Sequence, residues 1–410
     1  PPGLLLIEVG SPKLSGKKDP AVAWSVWIPA GGLLVALQPP QAMAGEYLDA
    51  AAFDLTGDGV DEVLIRRRVG EGEATRLITT VHRVVPGGVP RLLLSYPTGP
   101  QVREFWAPLP SPGGPAELII ASYGGHAGGA TAAPDAYLRF AYQELPEGPA
   151  LVRGADLVLP PIPMLQFQAA ELDGQPGPEL VSLREFPQNT YRQQLWAQRL
   201  YGPTYFDNQP IGQGNDLTLV PSHPHVQALL FLYRDTKTTP PQLHLAAITL
   251  DPTNKPRTQF DVALPIDADP PALAWGHFLS SDPTDPGLAL LLRPRGTSQP
   301  PWIALVAVHE SSAAVELHRP AGSEAWTMLG AVDMEGDGIQ ELVGMGGEAI
   351  GSYSFRTREL TSLSRDEAFP LPVEVTPTVE EGPSVQDVAP VEDEVPEDPA
   401  VFGPPTPELP

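Results

Sequence analysis

Six times between about residue 50 and residue 345, a polar turn runs straight into a short apolar stretch, at a roughly even spacing. Two of these turns are nearly the same: "FDLTGDGVDEVLI" over residues 53–65 and "VDMEGDGIQELVG" over residues 332–344. "ELDGQPGPELVSL", starting at Glu171, keeps the same nine-residue frame, and "PSPGGPAELII" places Glu117 at its end. "PSHPHVQALLFL" offers Gln227 at the equivalent position, and "SSDPTDPGLALLL" a position near Leu288. Measured from Glu62 through Glu117, Glu179, Gln227 and Leu288 to Glu341, the repeat is roughly 50–60 residues long. A unit of that size holds four strands, and the chain must be an array of such units.

The stretches between the turns agree. "LLLIEV", "AVAWSVWI", "RLLLSY", "ALLFLYR", "LALLLRP" and "PWIALVAV" are short apolar runs, and many stop at Pro or Gly. That is all-β spacing. With 52 prolines and 39 glycines, long helices are disfavoured, since proline removes a donor and glycine costs backbone entropy. The expected fold is an all-β propeller over residues 1–370, seven-bladed, with six blades as the alternative. Residues 4–39 hold three further strands without a loop. A strand from 350–370 or just beyond is expected to join them and complete the seventh blade. Two ordinary β-sandwiches are the competing architecture, and the shared loop frame argues against them.

Composition changes near residue 370. Residues 371–410 carry ten acidic residues, ten prolines and no Lys or Arg. Such a segment cannot bury enough apolar surface to offset its ordering entropy, so it is expected to be disordered, or extended on a partner. Its recurring valines, and "PAVFGPPTPELP" with Phe402 as anchor, suggest a docking peptide; a plain solubilising linker is the alternative. The whole chain carries a net charge of −25, which disfavours nucleic acid and anionic lipid as partners. Without cysteine, disulfides, thiolate metal sites and cysteine nucleophiles are excluded, and an oxidising compartment is suited. No apolar run is long enough to span a membrane as a helix. The sequence opens at Pro1 and not at methionine, which fits upstream trimming such as removal of a targeting segment.

The acidic turns carry the clearest chemistry. With Asp54 as position one, oxygen-bearing side chains fall at positions one, three, five and nine: Asp54, Thr56, Asp58 and Glu62, with the Val60 carbonyl at position seven. The later turn gives Asp333, Glu335, Asp337 and Glu341, with the Ile339 carbonyl. Gly57 and Gly59 permit the backbone angles that wrapping around one centre needs. An all-oxygen donor set suits calcium, whereas magnesium keeps more water and wants a stricter octahedron. An EF-hand would need a glutamate at position twelve and flanking helices. Position twelve is Ile65 in one turn and Gly344 in the other, and both turns lead into β-type sequence. The competing reading is an acidic turn that binds nothing, but like charges held this close are destabilising without a cation.

"DLTGDGVDE" and "DMEGDGIQE" resemble the calcium loops of FG-GAP and VCBS-type repeats, which build β-propellers such as the integrin α head. The resemblance implies ligands at the positions already named, on the connection between the first two strands of a blade, with ions that stiffen blades and do no catalysis. The sequence departs from the family pattern in having no "GAP" tripeptide after either loop and Thr56 where Asn or Asp is usual. Gln175 and Pro176 replace the central Asp-Gly of the third loop, which is expected to abolish binding there.

Other motifs point less far. "YGGHAGGATAAP", over residues 123–134, lacks the ending of a phosphate loop and reads as a surface loop. His223 and His225 of "HPH" can share one side of a strand, yet no carboxylate stands near them in sequence, which favours a surface pair over a metal site. No serine-hydrolase or zinc-protease pattern is present. The tryptophans lie mostly on strand-like segments and are expected to pack between sheets. The functional expectation is a non-catalytic, calcium-stabilised binding or scaffold subunit of a bacterial envelope or surface assembly, periplasmic or extracellular, with protein or glycan as partner. The alternative is a propeller enzyme, a polysaccharide lyase or a quinone-dependent dehydrogenase.

Overall fold

The computed structural model describes residues 4–9, 21–30, 33–37, 41–70, 75–99, 103–111, 114–123, 136–155, 165–174, 179–185, 193–199, 209–223, 225–269, 272–282, 284–309, 311–346 and 349–363. The expectations for residues 124–134 and for the 371–410 tail lie outside these residues. Every regular element among them is a β-strand, and the strands fall into seven successive units. The first unit holds β1 (Leu4–Val9), β2 (Ala21–Ala30), β3 (Leu33–Ala36) and β4 (Gln41–Ala44). The second holds β5 (Glu46–Phe53), β6 (Glu62–Val69), β7 (Arg76–Arg83) and β8 (Arg91–Thr98). The third holds β9 (Arg103–Ser111), β10 (Gly114–Tyr123), β11 (Ala136–Leu145) and β12 (Gly148–Arg153). The fourth holds β13 (Gln166–Ala170), β14 (Glu179–Glu185), β15 (Gln193–Arg199) and the first half of β16 (Gln209–Leu219). The second half of β16 opens the fifth, with β17 (Leu229–Asp235), β18 (Gln242–Leu250) and β19 (Pro256–Ala263). The sixth holds β20 (Ala272–Gly276), β21 (Gly287–Leu292), β22 (Trp302–His309) and β23 (Ser312–His318). The seventh holds β24 (Met328–Val332), β25 (Glu341–Gly346), β26 (Ala349–Ser354) and β27 (Glu359–Leu363).

Units two to seven are antiparallel meanders in which each strand pairs with the next. All six polar turns seen in the sequence connect the first strand of a unit to its second. The fourth and fifth units share β16, which makes one continuous seven-stranded sheet. The strand pairs with β15 up to Gly214 and with β17 from Asn215. At the changeover the register shifts and Asp216 takes φ 52°, a left-handed conformation. The first unit also departs from the meander. β3 pairs with residues 27–30 of β2 and β4 with residues 21–24, so the two form one interrupted strand along a single edge of β2. The strands at 349–363 do not complete this unit, contrary to expectation. β26 pairs with β25 and β27 with β26, because the β24–β25 hairpin leaves its own open edge for β26.

The second strand of each unit explains how the units pack. In β10, Leu118 and Ile120 join a core with Leu64 and Val81 of the second unit, whereas Ile119 and Ala121 join one with Phe167 and Ala169 of the fourth. In β21, Leu288, Leu290 and Leu292 face the fifth unit, while Ala289 and Leu291 face the seventh. Alternate side chains of a strand point to opposite faces of its sheet, and both faces here are apolar, so the strand reads as an unbroken apolar run. Six such cores lie between successive units from first to seventh. β1 of the first unit also approaches β24 of the seventh. The arrangement is propeller-like: sheets stacked face to face, with the first-to-second-strand connections as one family of loops.

Candidate metal centre

The loop between β5 and β6 is organised by its own carboxylates. Asp54 accepts N–H groups from Gly57 (2.7 Å) and Gly59 (2.9 Å), and both glycines have positive φ (76° and 81°). Asp58 accepts the Val60 N–H at 2.9 Å and the Arg83 guanidinium, from the end of β7, at 2.6 Å. Glu62 turns inward; its carboxylate accepts N–H groups from Leu55 (2.8 Å) and Thr56 (3.2 Å) and the Thr56 hydroxyl (3.3 Å). Burial pushes the Glu62 carboxyl up to about 7, and the Asp58 charge adds to this against the Leu55 and Thr56 hydrogen bonds.

The loop between β24 and β25 repeats the scheme. Asp333 accepts from Gly336 (2.6 Å), Asp337 (3.2 Å) and Gly338 (2.9 Å). Asp337 accepts the Ile339 N–H at 2.9 Å and the Arg356 guanidinium at 3.0 Å. Glu341 is buried and accepts the Met334 N–H at 2.8 Å. Its carboxyl is raised by burial first, with the Glu335 and Asp333 charges adding. Glu335 is exposed on the loop. The two arginines were not legible beforehand, because they come from third-strand ends at no fixed distance from the loop.

The third loop, between β13 and β14, keeps part of the frame although its centre differs. Glu171 accepts the Gly174 N–H and Glu179 the Leu172 N–H, each at 2.9 Å, as their counterparts do in the other loops. Ligand oxygens of Glu171, Asp173 and Glu179 lie within 4.8 Å of one another. Among the described residues this is where three acidic groups converge; the donors of the other two loops are more dispersed. Glu179 is fully buried, and burial, followed by the Glu171 charge, pushes its carboxyl up to about 7. Losing the central Asp-Gly to Gln175 and Pro176 therefore left positions one, three and nine in place. The signal was present in the sequence, in the shared frame. The donors of all three loops are oxygens, which suits a hard cation, and at the third loop the oxygen-to-oxygen spacing below 5 Å is compatible with Ca–O bonds of about 2.3–2.6 Å.

A separate cavity of ≈ 260 Å³ opens where the first strands of four units meet. Asp49, Glu104, Trp106, Gln166 and Gln168 line it. Its polar groups serve the fold: Glu104 accepts the Thr79 hydroxyl at 2.7 Å and pairs with Arg66 at 3.6 Å, Gln166 accepts the Leu219 N–H at 2.7 Å, and Gln168 donates to the Val220 carbonyl at 3.1 Å. Trp24, Trp27 and Trp326 are buried packing residues, as expected.

No protein-family model matches the sequence, and comparison with curated proteins finds no match. Among solved structures, the chain is similar to a Mycobacterium tuberculosis puromycin-hydrolysing peptidase, at 15% identity and a TM-score of 0.40, over 89% of this chain and 54% of that one. It thus spans about half the length of that protein. It is also similar to the Vibrio cholerae biofilm matrix protein Bap1, at 11% identity and a TM-score of 0.23, over 89% of this chain and 83% of that one. Similarity at this level carries no argument about function.

Proposed function

We propose that the chain is a closed, seven-bladed β-propeller of the FG-GAP/VCBS-repeat type. In this reading calcium binds the first-to-second-strand connections of the second, fourth and seventh units. The protein acts as a non-catalytic protein-binding or scaffold subunit of a bacterial envelope or surface assembly. The observation that carries the reading is the shared loop frame. In three separate units a position-one acid caps the glycine three residues on, and a buried position-nine glutamate accepts the N–H of the residue after position one. These carboxylates are committed to shaping loops, which favours a structural ion over a reacting centre. The cavity lies below the usual 300–1,000 Å³ of small-molecule sites, which also favours binding through the outer faces. Stiffening by weakly held calcium operates where the ion is plentiful, as outside cells, and that supports a periplasmic or extracellular setting.

The test is calcium titration of the whole chain with thermal melting. An ion that binds only the folded state must raise the melting temperature. Asp58→Ala and Asp337→Ala should each reduce calcium uptake, with the larger loss at Asp337, whose loop also holds Glu335. Unchanged uptake in both variants would overturn the calcium reading. Co-purification of the native chain with a specific protein supports the scaffold role, and its recovery alone counts against it.

A further inference from the structure

The first-to-second-strand connections of the fifth and sixth units do not keep the position-one and position-nine acids of the frame, and they hold histidines at the same rim. His223 and His225 lie between β16 and β17, and His277 directly follows β20. The fold brings the two connections together. The His223 ring centroid is 5.8 Å from that of His225 and 6.2 Å from that of His277. Two imidazoles on one tetrahedral ion, with metal–nitrogen bonds of about 2.0–2.1 Å, place their centroids roughly 5–6 Å apart. We propose that His223, His225 and His277 form a binding site for a divalent transition metal of the zinc or copper class, distinct from the calcium loops and independent of them.

Four observations bear on the site. Ring Nδ1 of His277 is buried and finds no hydrogen-bond partner among the described residues, a costly arrangement for a polar atom that a metal bond relieves. His277 is also fixed in place: its N–H donates to the Gln340 side chain at 2.7 Å, and its carbonyl accepts the Gln340 N–H at 2.8 Å. Trp275 lies against His223 with ring centroids 5.0 Å apart, and its indole N–H holds the Pro221 carbonyl at 2.8 Å, anchoring the histidine connection to the sixth unit. Asp282 puts a carboxylate on the same connection as His277, fixed by the Thr284 N–H at 2.9 Å and the Thr284 hydroxyl at 2.7 Å. Imidazole donors select zinc, copper or nickel over calcium. Closing the site requires His225, which is exposed, to turn inward, and the weak 3.3 Å contact from its N–H to His223 Nδ1 gives way to the metal.

The test uses the full chain saturated with calcium, which occupies the oxygen sites. Titration with Zn2+ by calorimetry should show a single tight class of site, and Cu2+ should give an electron paramagnetic resonance spectrum with nitrogen couplings and quench Trp275 fluorescence. His277→Ala should abolish this binding. His225→Gln, at an exposed position that leaves the fold unstrained, should weaken it by more than the ~10–100-fold that loss of an outer-shell partner costs. His309→Gln, at the exposed end of β22 and outside the three rings, should bind as the parent does. Trp275→Phe should lose the quenching and keep the uptake. Absence of tight Zn2+ binding to the calcium-saturated chain, or parental affinity in His225→Gln, overturns the proposal.

Discussion

Glu62 is 1% exposed, and its carboxyl is pushed to about 7 while the unfolded chain titrates near 4.5. Between those values the folded chain holds a proton that the unfolded chain has released. Metal-free stability therefore falls as pH rises from about 4.5 to 7 and levels off above that. Glu179 acts in the same direction over the same window. Calcium needs the ionised carboxylate, so its affinity rises where metal-free stability falls. Glu62→Gln imitates the protonated form and keeps an acceptor for the Leu55 N–H. Without metal at pH 8 it should melt higher than the parent, and it should lose this group's fall in stability of at most ~1.4 kcal/mol per pH unit between about 4.5 and 7. It should also lose calcium stabilisation from that loop. Melting curves from pH 5 to 8, in chelator and in calcium, decide this, and an unaltered slope would remove Glu62 from the account. Arg83 and Arg356 act oppositely, as built-in cations on the position-five acids, Asp58 and Asp337. A partly exposed ion pair is worth ~0.2–1 kcal/mol. Arg83→Met should therefore raise calcium affinity by at most about fivefold in calorimetric titration, and a fall in affinity would show the guanidinium supporting the site instead of competing for it.

Among the elements, β25 shows how a packing demand can look like a missing ligand. Gly344 stands at position twelve, where an EF-hand would carry glutamate, and a Cβ there would lie 1.8 Å from the Trp326 ring. Trp326 is 1% exposed in the core between the sixth and seventh units. Gly344→Ala should cost at least the ~1–3 kcal/mol typical of overpacking in denaturant unfolding, with calcium binding at the neighbouring loop retained once folded. Unchanged stability would mean that the indole moves aside freely. The six loop positions were legible because each must place a turn before a strand buried on both faces, and few residue types satisfy both demands. β16 was not legible as a shared element. The turn-type residues Gly214, Asn215 and Asp216 stand where it changes sheets, but the left-handed Asp216 carries the bend without ending the strand. The shortest repeat interval, from Glu179 to Gln227, spans this strand, and a strand serving two units omits the connection that would otherwise lengthen it. Asp216 also pairs with the buried Arg234 at 2.9 Å. Asp216→Ala, losing the carboxylate and still strained at positive φ, should destabilise more than Asp216→Gly, which loses only the pair. Equal losses would assign the whole effect to the ion pair. The histidine connections were legible only in part: "HPH" stands out in sequence, whereas His277 meets it only through the stacking of two units.

Across the whole molecule, stability is distributed over interfaces between neighbouring sheets, since the second to sixth units pack on both faces. The first unit supplies one side of such an interface. Trp24 and Met43 pack with Val63, Ile65 and Val84 of the second unit, and the Trp24 ring lies 5.2 Å from His82. On the other side β1 approaches β24. Removal of residues 1–40 would take β1, β2 and β3 away, leaving the apolar face of β6 in water and β24 without its neighbour. Fully burying one large aliphatic side chain is worth ~1.5–3 kcal/mol, so uncovering Val63, Ile65 and Val84 together removes an amount comparable with the ~5–15 kcal/mol net stability of an ordinary domain. The shortened chain should therefore aggregate or melt without a cooperative transition, and adding calcium should not restore one, because the acidic loops join strands within a unit and cannot replace the missing interface. The measurement is calorimetric unfolding of the shortened and whole chains side by side. A soluble shortened chain that melts cooperatively at the parental temperature would show that the first unit is an appendage and that the ring, if closed, is closed by the other six.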